Sequence, residues 1–188
     1  MNKRIFALLC ISLCFSLPAF AAPAYTMVKE KSSLKFIAIQ NNAPVEGEFK
    51  EFTTTIAFDP DKPEDSKISA EITLASLSAS YAEMVNNLKL PDWLWIEKFP
   101  KAVFNSKKIV RVPMSNNYVV DGDLTLRGKK MPVTLNLQIS IPEDKKAIAK
   151  GFATLHRTDF EVGQGEWKND DVIKDEVRVE FRIVAEKK

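Results

Sequence analysis

The sequence predicts an all-β domain of about eight antiparallel strands with one short helical insertion. Three observations support this prediction. Apolar residues alternate with polar ones through most of the chain, and short segments rich in Pro, Gly and Asp separate the alternating runs. Third, the alternation stops over residues 79–99, where residues that favour a helix take its place. Such strands close as a barrel or pack as a sandwich, and the pattern alone leaves both open.

The N-terminal segment has the layout of a secretory signal peptide. Lys3 and Arg4 precede an apolar run over 5–17, and small residues follow it. A membrane span needs about 20 apolar residues, so this run is short for one. The alternative to a cleaved signal peptide is an uncleaved N-terminal anchor. We expect cleavage after Ala21, with Ala24 as the second choice. The predicted domains are therefore a signal peptide, 1–21, and an exported domain, 22–188.

Removal of the leader simplifies the composition of the chain. The exported part keeps 25 basic and 25 acidic residues and no cysteine, because Cys10 and Cys14 both lie in the leader. A net charge of zero gives no electrostatic reason to expect a nucleic-acid partner. Disulfide bonds and thiolate ligands are excluded. We therefore expect a periplasmic or secreted protein that is stabilised by burial of apolar side chains.

The strands follow from period-two alternation of β-branched, aliphatic and aromatic residues with polar ones. In chain order we predict them near residues 25–29, 34–38, 48–58, 67–74, 102–104, 119–126, 133–139 and 177–183. Segments that cannot continue a strand separate several of them, such as 59–63 with its two prolines. At 127–130 we predict a tight hairpin in which Gly128 supplies a positive φ, and at 141–144 a linking segment.

The insertion from Ala79 to Phe99 interrupts the strands. Residues 82–89 favour a helix with its apolar residues on one face, and residues 91–92 can start a second helical turn. Trp93, Trp95 and Phe99 then bring two indoles and a phenyl ring into seven residues outside any strand. They form either a plug that fills one end of the barrel or a lid over a ligand cavity.

No motif indicates catalysis or a metal site. His156 is the single histidine, with Asp159 close by in sequence, but no serine stands in a Gly-x-Ser-x-Gly turn. One His without Cys gives no zinc-ligand spacing. Residues 169–171 lack the spacing of an EF-hand, and 163–166 lack the Lys of a phosphate-binding loop. We therefore expect no catalytic residue, no metal ligand and no cofactor.

Five short segments stand in order along the chain: Gly47–Phe52, Ile56–Pro60, Phe99–Phe104, Gly122–Gly128 with Pro132-Val133, and Arg157–Phe160 with Val162-Gly163. Together they resemble the YceI-like family of bacterial exported proteins, over about 26–185. The resemblance implies an eight-stranded antiparallel barrel of lipocalin-like shape with a helical insertion. It also implies that the barrel binds a polyisoprenoid or another amphiphilic long-chain lipid.

The Trp-rich stretch Pro91–Phe99 is similar to a branch of this family that is joined to cytochrome b561-type membrane domains. That similarity implies an alternative role, in which the protein presents a quinone to a membrane cytochrome partner. The chain also departs from the family pattern. Many members carry a His after the second strand, where this chain has Gln40, Asn41 and Asn42. The resemblance therefore implies no head-group contact by a histidine at this place in the chain.

The expected function is non-catalytic binding of a long-chain, quinone-like or related lipid, for transport, storage or sequestration. An enzyme is a third class, which the absence of a clustered acid and base disfavours. Gln40 or Arg157 is expected to meet a polar head group. The ligand-binding residues predicted from the alternation and from the insertion are Leu34, Phe36, Ile72, Leu74, Met84, Leu88, Trp93, Trp95, Phe104, Leu124, Leu126, Leu135 and Phe181.

Overall fold

The computed structural model describes residues 22–143 and 145–188, without the side chain of Glu143. Within these residues it contains strand segments and one short helix. They are β1 (Ala24–Met27), β2 (Ser33–Gln40), β3 (Ala43–Phe49), β4 (Phe52–Ala57), β5 (Lys67–Thr73), β6 (Leu77–Ala79), α1 (Ala82–Lys89), β7 (Lys101–Arg111), β8 (Asn117–Leu126), β9 (Lys129–Glu143), β10 (Lys146–His156) and β11 (Ile173–Lys187). The predicted signal peptide, 1–21, lies outside the described residues.

The segments form a closed antiparallel barrel. Around the ring, β1 pairs with β4, followed by β5, β7, β8, β9, β10 and β11, and β11 returns to β1. The segments β2, β3 and β6 continue the bent strands of β1, β4 and β5 on the other half of the barrel, where β11 pairs with β2, β2 with β3 and β3 with β6. Counted this way, residues 22–143 and 145–188 form an eight-stranded barrel, so the fold class is confirmed and the sandwich is excluded. Two of the predicted strands, 25–29 and 34–38, are parts of one bent strand, and the eighth strand is β10, which was not predicted.

One end of the barrel, which we call the closed end, is filled by side chains. Tyr25, Phe58, Ile109, Tyr118 and Val120 are buried there, with Phe58 only 2% and Val120 0% exposed. The rings of Phe58 and Tyr118 meet edge to face, with centroids 5.4 Å apart. Burial of these large apolar groups stabilises this half of the barrel and leaves the other half to accommodate a cavity.

The opposite end, which we call the mouth, is covered by two segments. The barrel wall is not paired between β6 and β7, and the insertion 80–100, which includes α1, fills that gap. The connection 157–172 between β10 and β11 crosses the same end. The backbone N–H groups of Gly163 and Gln164 both donate to the carbonyl of Asp92, at 2.8 Å each. The rings of Trp93 and Trp167 pack 5.7 Å apart, so the two segments form one cover.

The predicted boundaries needed several corrections. The predicted strand 48–58 is bent at residues 50–51 into β3 and β4, and the strand near 67–74 ends at Thr73, before a 3-10 turn at Leu74–Ser76. The second helical turn predicted to start at residues 91–92 is a series of consecutive turns over 91–94 rather than regular helix. The segment 141–143, predicted as a link, continues β9. Pro142 is tolerated because the β9–β10 ladder is irregular at that point.

The helix and the central hairpin match their predictions. The helix α1 spans Ala82–Lys89, and the hairpin turns at Arg127 and Gly128, with φ values of 50° and 75°. Positive φ at both central positions is the geometry that suits the twist of a two-residue hairpin.

Within residues 22–143 and 145–188, no helix is long and apolar enough to reach across a bilayer.

Candidate functional site: an apolar cavity

The half of the barrel next to the mouth encloses a cavity of about 470 Å³. This volume falls in the range of about 300–1,000 Å³ that is usual for small-molecule sites. Its wall consists mostly of aliphatic and aromatic side chains. Alternate residues of each strand point inward, because successive residues of a strand point to opposite faces. An eight-stranded barrel has room inside for one such ligand.

Every predicted ligand-binding residue except Trp95 lines this cavity. The strands and the Leu74 turn supply Leu34, Phe36, Ile72, Leu74, Phe104, Leu124, Leu126, Leu135 and Phe181. The helix α1 supplies Met84 and Leu88, which are half-buried against the mouth, and Trp93 follows at 8% exposure. The alternation and the helical periodicity therefore identified one continuous surface.

Trp95 is the exception, because it is not among the residues that line the cavity. Its backbone adopts a left-handed φ of 47°, which turns its side chain away from the face that Trp93 and Leu94 share. The Trp95 ring packs edge to face on Phe99, with centroids 5.8 Å apart, and Nζ of Lys98 lies 4.3 Å from its centre. Trp93 is thus a lining residue, whereas Trp95 supports the cover from outside.

Sequence reasoning missed several lining residues. Phe49, Leu94, Leu155, Phe160 and Trp167 all face the cavity. Leu155 belongs to β10, a strand that was not predicted. Its alternation with Thr154 and His156 is nevertheless a pattern that indicates a strand. Phe49 was hidden by the bend between β3 and β4. Trp167 lies 74 residues beyond Trp93 in the chain, and no local pattern shows that the two rings meet.

Polar groups collect at one side of the mouth, between the end of β2 and the start of α1. Gln40, Tyr81, Glu83 and Asn87 line the cavity there. The hydroxyl of Tyr81 donates to Oε1 of Gln40 at 3.0 Å, which links β2 to the residue before α1. Tyr81 is 43% exposed, so this polar rim faces both the cavity and the solvent.

Arg157 also borders the cavity, but its guanidinium stabilises the fold through hydrogen bonds to backbone carbonyls. It is 4% exposed and donates to the carbonyls of Lys174, Val162, Gly163, Asn169 and Ile173, at 2.9–3.3 Å. A guanidinium has five N–H donors, so these bonds occupy its full capacity. Burial lowers the pKa of Arg157, and the nearby Asp175 and Asp170 oppose that shift. The expected contact of Arg157 with a head group is therefore not retained, because its donors are already occupied.

A second buried arginine joins the covering segments to the barrel wall. Arg127, 9% exposed in the β8–β9 turn, donates to the carbonyls of Pro91, at 2.5 Å, and of Glu161. Lys129 pairs with the Glu161 carboxylate at 2.8 Å. The hydrogen bond from Lys129, together with the charges of Lys129 and Arg127, holds the pKa of Glu161 below its usual range, although burial acts to raise it. The hairpin therefore fixes both parts of the cover.

His156 lies outside the cavity and contacts Asp175 rather than Asp159. Its Nδ1 is 3.0 Å from Oδ2 of Asp175, while Oδ1 of Asp175 accepts from the Thr158 hydroxyl at 2.8 Å. The carboxylate lies between the imidazole and the hydroxyl, so the imidazole is not placed to deprotonate Thr158. Among residues 22–143 and 145–188, no three His, Cys, Asp or Glu side chains cluster as metal ligands.

A barrel filled at one end, with an apolar cavity beneath a covered mouth, has the architecture of a small-molecule-binding barrel. The family model described as "YceI-like domain" matches residues 25–185. The chain therefore belongs to the YceI-like family, and the family resemblance seen in the sequence is confirmed.

Similar proteins agree with this membership. Protein YceI of Escherichia coli is 31% identical over 142 residues, which cover 74% of this chain and 73% of that protein. A UPF0312 protein of Photorhabdus laumondii is 38% identical over 93 residues. That second alignment spans 50% of this chain and about half, 47%, of the relative's length.

Solved structures with the same fold include BcnA of Burkholderia cenocepacia, which is 30% identical with a TM-score of 0.80 and covers 84% of this chain and 98% of that one. A YceI protein of Campylobacter jejuni is 23% identical, has a TM-score of 0.68 and covers 76% and 84%. A polyisoprenoid-binding domain from Saccharophagus degradans is 12% identical, also with a TM-score of 0.68, and covers 88% and 99%. The last two show the shared fold.

Proposed function

We propose that this protein is an exported, non-catalytic carrier that holds a polyisoprenoid, quinone-like or other long-chain lipid in the barrel cavity, for transport, storage or sequestration. The observation that carries the proposal is the cavity itself, about 470 Å³ enclosed mostly by aliphatic and aromatic side chains. A flexible apolar chain is the ligand that such a wall favours, because it gives up little hydrogen bonding with water on entry.

The energetics are adequate for such a role. Burial of each CH₂ group contributes about 0.8 kcal/mol, so ten buried carbons contribute roughly 8 kcal/mol before costs. Ordering of the chain and loss of its translational freedom oppose this gain. Dissociation constants near the micromolar range, about −8 kcal/mol, follow for chains somewhat longer than ten carbons. The Saccharophagus degradans neighbour, described as a polyisoprenoid-binding domain, supports the ligand class.

Extraction of the native ligand tests this function directly. The full-length gene is expressed in its own host, the protein is purified from the periplasm without detergent, and the organic extract is analysed by mass spectrometry. We expect a long-chain lipid in stoichiometric amount. An empty protein that also fails to take up farnesol or a quinone in solution contradicts the proposal.

A cavity-filling pair provides the matched control. Ala70 on β5 lines the cavity, whereas its neighbour Ser69 faces the outer surface of the same strand. Ala70→Phe places a ring in the cavity and should lower lipid uptake, whereas Ser69→Phe adds the same ring outside and should leave uptake unchanged. Both variants need a native circular dichroism spectrum for the comparison to count.

Export is part of the same proposal. The layout of the leader, residues 1–21, supports cleavage after Ala21 in the periplasm or on the route to secretion. N-terminal sequencing of the periplasmic protein should give Ala22. Recovery of the intact chain, beginning at Met1, from the membrane fraction contradicts cleavage and favours an anchor.

The second candidate role is an accessory that presents a quinone to a membrane cytochrome. The observation in its favour is that the segment Pro91–Phe99, which resembles the cytochrome-fused branch, covers the mouth through contacts with 163–167. A partner that receives the ligand would approach that end. Affinity purification from solubilised membranes should then recover a b-type cytochrome with the wild-type protein, and recovery of none removes this role.

A further inference from the structure

We propose that the mouth of the cavity selects lipids whose polar end carries no charge, and disfavours phosphorylated ones. This inference rests on the proposed lipid-binding function and specifies the class of head group. It follows from three features of the lining: where its polar atoms are, how its one buried cation is used, and which charge remains available.

Apart from the buried hydroxyl of Thr54 on β4, the uncharged polar side chains of the lining lie at the rim. Gln40, Tyr81 and Asn87 line the cavity where it meets solvent, on β2 and on the start of the insertion. Amide and phenol groups donate and accept hydrogen bonds without carrying a charge. The Tyr81–Gln40 bond, 3.0 Å long, is partly exposed, so a hydroxyl or carbonyl of a ligand can join it at little cost in desolvation.

The cation that borders the cavity is not available to an anion. Of the described lysines and arginines, Arg157 is the one that lines the cavity. Its five hydrogen bonds to backbone carbonyls hold the connection between β10 and β11 and use all five guanidinium donors. A phosphate at the mouth therefore finds no free charged donor in the described lining, whereas phosphate sites depend on such groups.

The charge that remains available at the rim is negative. Glu83, in the first turn of α1, lines the cavity and is exposed. It stands on the same side of the mouth as Tyr81 and Asn87, which would receive the head group. A phosphate or diphosphate held there would be repelled by the carboxylate, and the repulsion would be screened by salt because the site is open to water.

Paired ligands with one hydrocarbon chain test the inference: farnesol and farnesyl diphosphate, titrated into the purified protein and followed by calorimetry. Wild type should bind farnesol more than tenfold more tightly than the diphosphate. Glu83→Gln should raise affinity for the diphosphate by about threefold to tenfold and change that for farnesol much less, as expected for removal of one partly screened charge. Rising ionic strength should reproduce part of that gain in wild type only.

Glu97→Gln is the matched control, because Glu97 is an exposed carboxylate of the same insertion that does not line the cavity. It should change neither affinity. Equal binding of the two ligands to wild type, or equal effects of Glu83→Gln on both, overturns the head-group selection and leaves the lipid-binding function standing. If neither ligand binds wild type or Glu83→Gln, both the selection and the proposed function are contradicted.

Discussion

The ring of Phe181 lies over Gly151, its direct partner on the neighbouring strand β10, where a Cβ atom at Gly151 would come within 2.8 Å of Cζ of Phe181. Phe36 lies over its own partner, Gly47, in the same way. In both pairs the phenylalanine lines the cavity. Because glycine has no side chain, each ring lies along the wall instead of projecting inward. The glycines therefore help to keep the cavity open.

Gly47→Ala tests this arrangement, because the two atoms nearest to a new Cβ belong to the Phe36 ring, which can rotate, while the carbonyl oxygen of Ser78 is farther away, at 3.0 Å. The displaced ring would enter the cavity, so we expect lipid affinity to fall by about tenfold and stability by roughly 1–3 kcal/mol, the usual range for overpacking. Calorimetric titration with farnesol and urea unfolding measure the two effects.

The double variant Gly47→Ala with Phe36→Leu serves as the control, since a leucine leaves room for the added methyl group. The double variant should recover more than half of the lipid affinity that Gly47→Ala loses, because the two substitutions compensate for each other. In a double-mutant cycle their effects on affinity are then not additive. If the two substitutions are additive in lipid affinity, the ring is not what closes the cavity.

The sequence predicted the wall of the cavity well and its cover poorly, for a physical reason. Alternation along a strand decides which face a residue occupies, so Leu34, Phe36, Leu124 and Leu126 could be assigned inward without any knowledge of neighbours. Helical periodicity, which is equally local, assigned Met84 to the inward face of α1. These are properties of single segments, which the sequence displays directly.

The cover depends on contacts between distant segments. The backbone bonds from Gly163 and Gln164 to Asp92, and the packing of Trp93 on Trp167, join parts of the chain that show no mutual pattern. The orientation of Trp95 depends on a single left-handed residue, which sequence alone does not identify because non-glycine residues rarely adopt it. Density of tryptophan predicted a cover but not which ring faces inward.

The second prediction separates Trp93 from Trp95. Trp93 is 8% exposed and lines the cavity, whereas Trp95 packs on Phe99 outside it. Trp93→Ala should therefore lower both stability, by about 3–5 kcal/mol, and lipid affinity, whereas Trp95→Ala should lower stability alone. Urea midpoints and farnesol titrations at a temperature where both variants are folded give the two readouts.

A spectroscopic version avoids the loss of stability. In Trp95→Phe the remaining tryptophans, Trp93 and Trp167, both line the cavity, so their emission should shift or be quenched when a quinone is added. The reciprocal Trp93→Phe variant should show a smaller response. A larger response from Trp93→Phe than from Trp95→Phe would place the ligand against Trp95 and reject this assignment.

The third prediction concerns the arginine beneath the connection 157–172. Arg157→Lys keeps a positive charge but replaces five directed donors with three on a compact ammonium group. Several of the carbonyls that Arg157 now serves would lose their partner, so we expect a loss of about 2–4 kcal/mol in the free energy of unfolding. Amide exchange of Val162, whose N–H donates to the Arg157 carbonyl, should accelerate more than exchange within β8.

Arg178→Lys is the matched control, because Arg178 lies on β11, is exposed and pairs with Glu180 on the surface. Its guanidinium also lies 3.8 Å from the centre of the Phe152 ring, and a cation over an aromatic ring contributes about 0.5–1 kcal/mol at an exposed site. An exposed ion pair contributes about 0–1 kcal/mol, so this variant should unfold close to wild type. Equal losses in the two variants would mean that the carbonyl contacts of Arg157 contribute no more than a surface charge does.

The last prediction is a pH dependence set by Asp175. Burial acts to raise the pKa of Asp175, but the hydrogen bonds from the N–H and hydroxyl of Thr158 and from His156 prevail and hold it below its ordinary value of 3.8. The unfolded chain therefore takes up this proton at a higher pH than the folded protein does. The stabilisation is complete at neutral pH and is lost as the pH falls below about 4 through the lowered folded-state pKa.

Asp175→Asn should accordingly cost about 1–2 kcal/mol at pH 7, where it replaces a charged acceptor with a neutral one. The difference from wild type should shrink as the pH falls from about 5 to 3, because the protonated aspartic acid then resembles the asparagine. Asp171→Asn, an exposed position on the same connection, should show no such dependence. Urea unfolding at several pH values measures both, and a difference at pH 3 as large as that at pH 7 would show that the Asp175 charge does not stabilise the base of the cover.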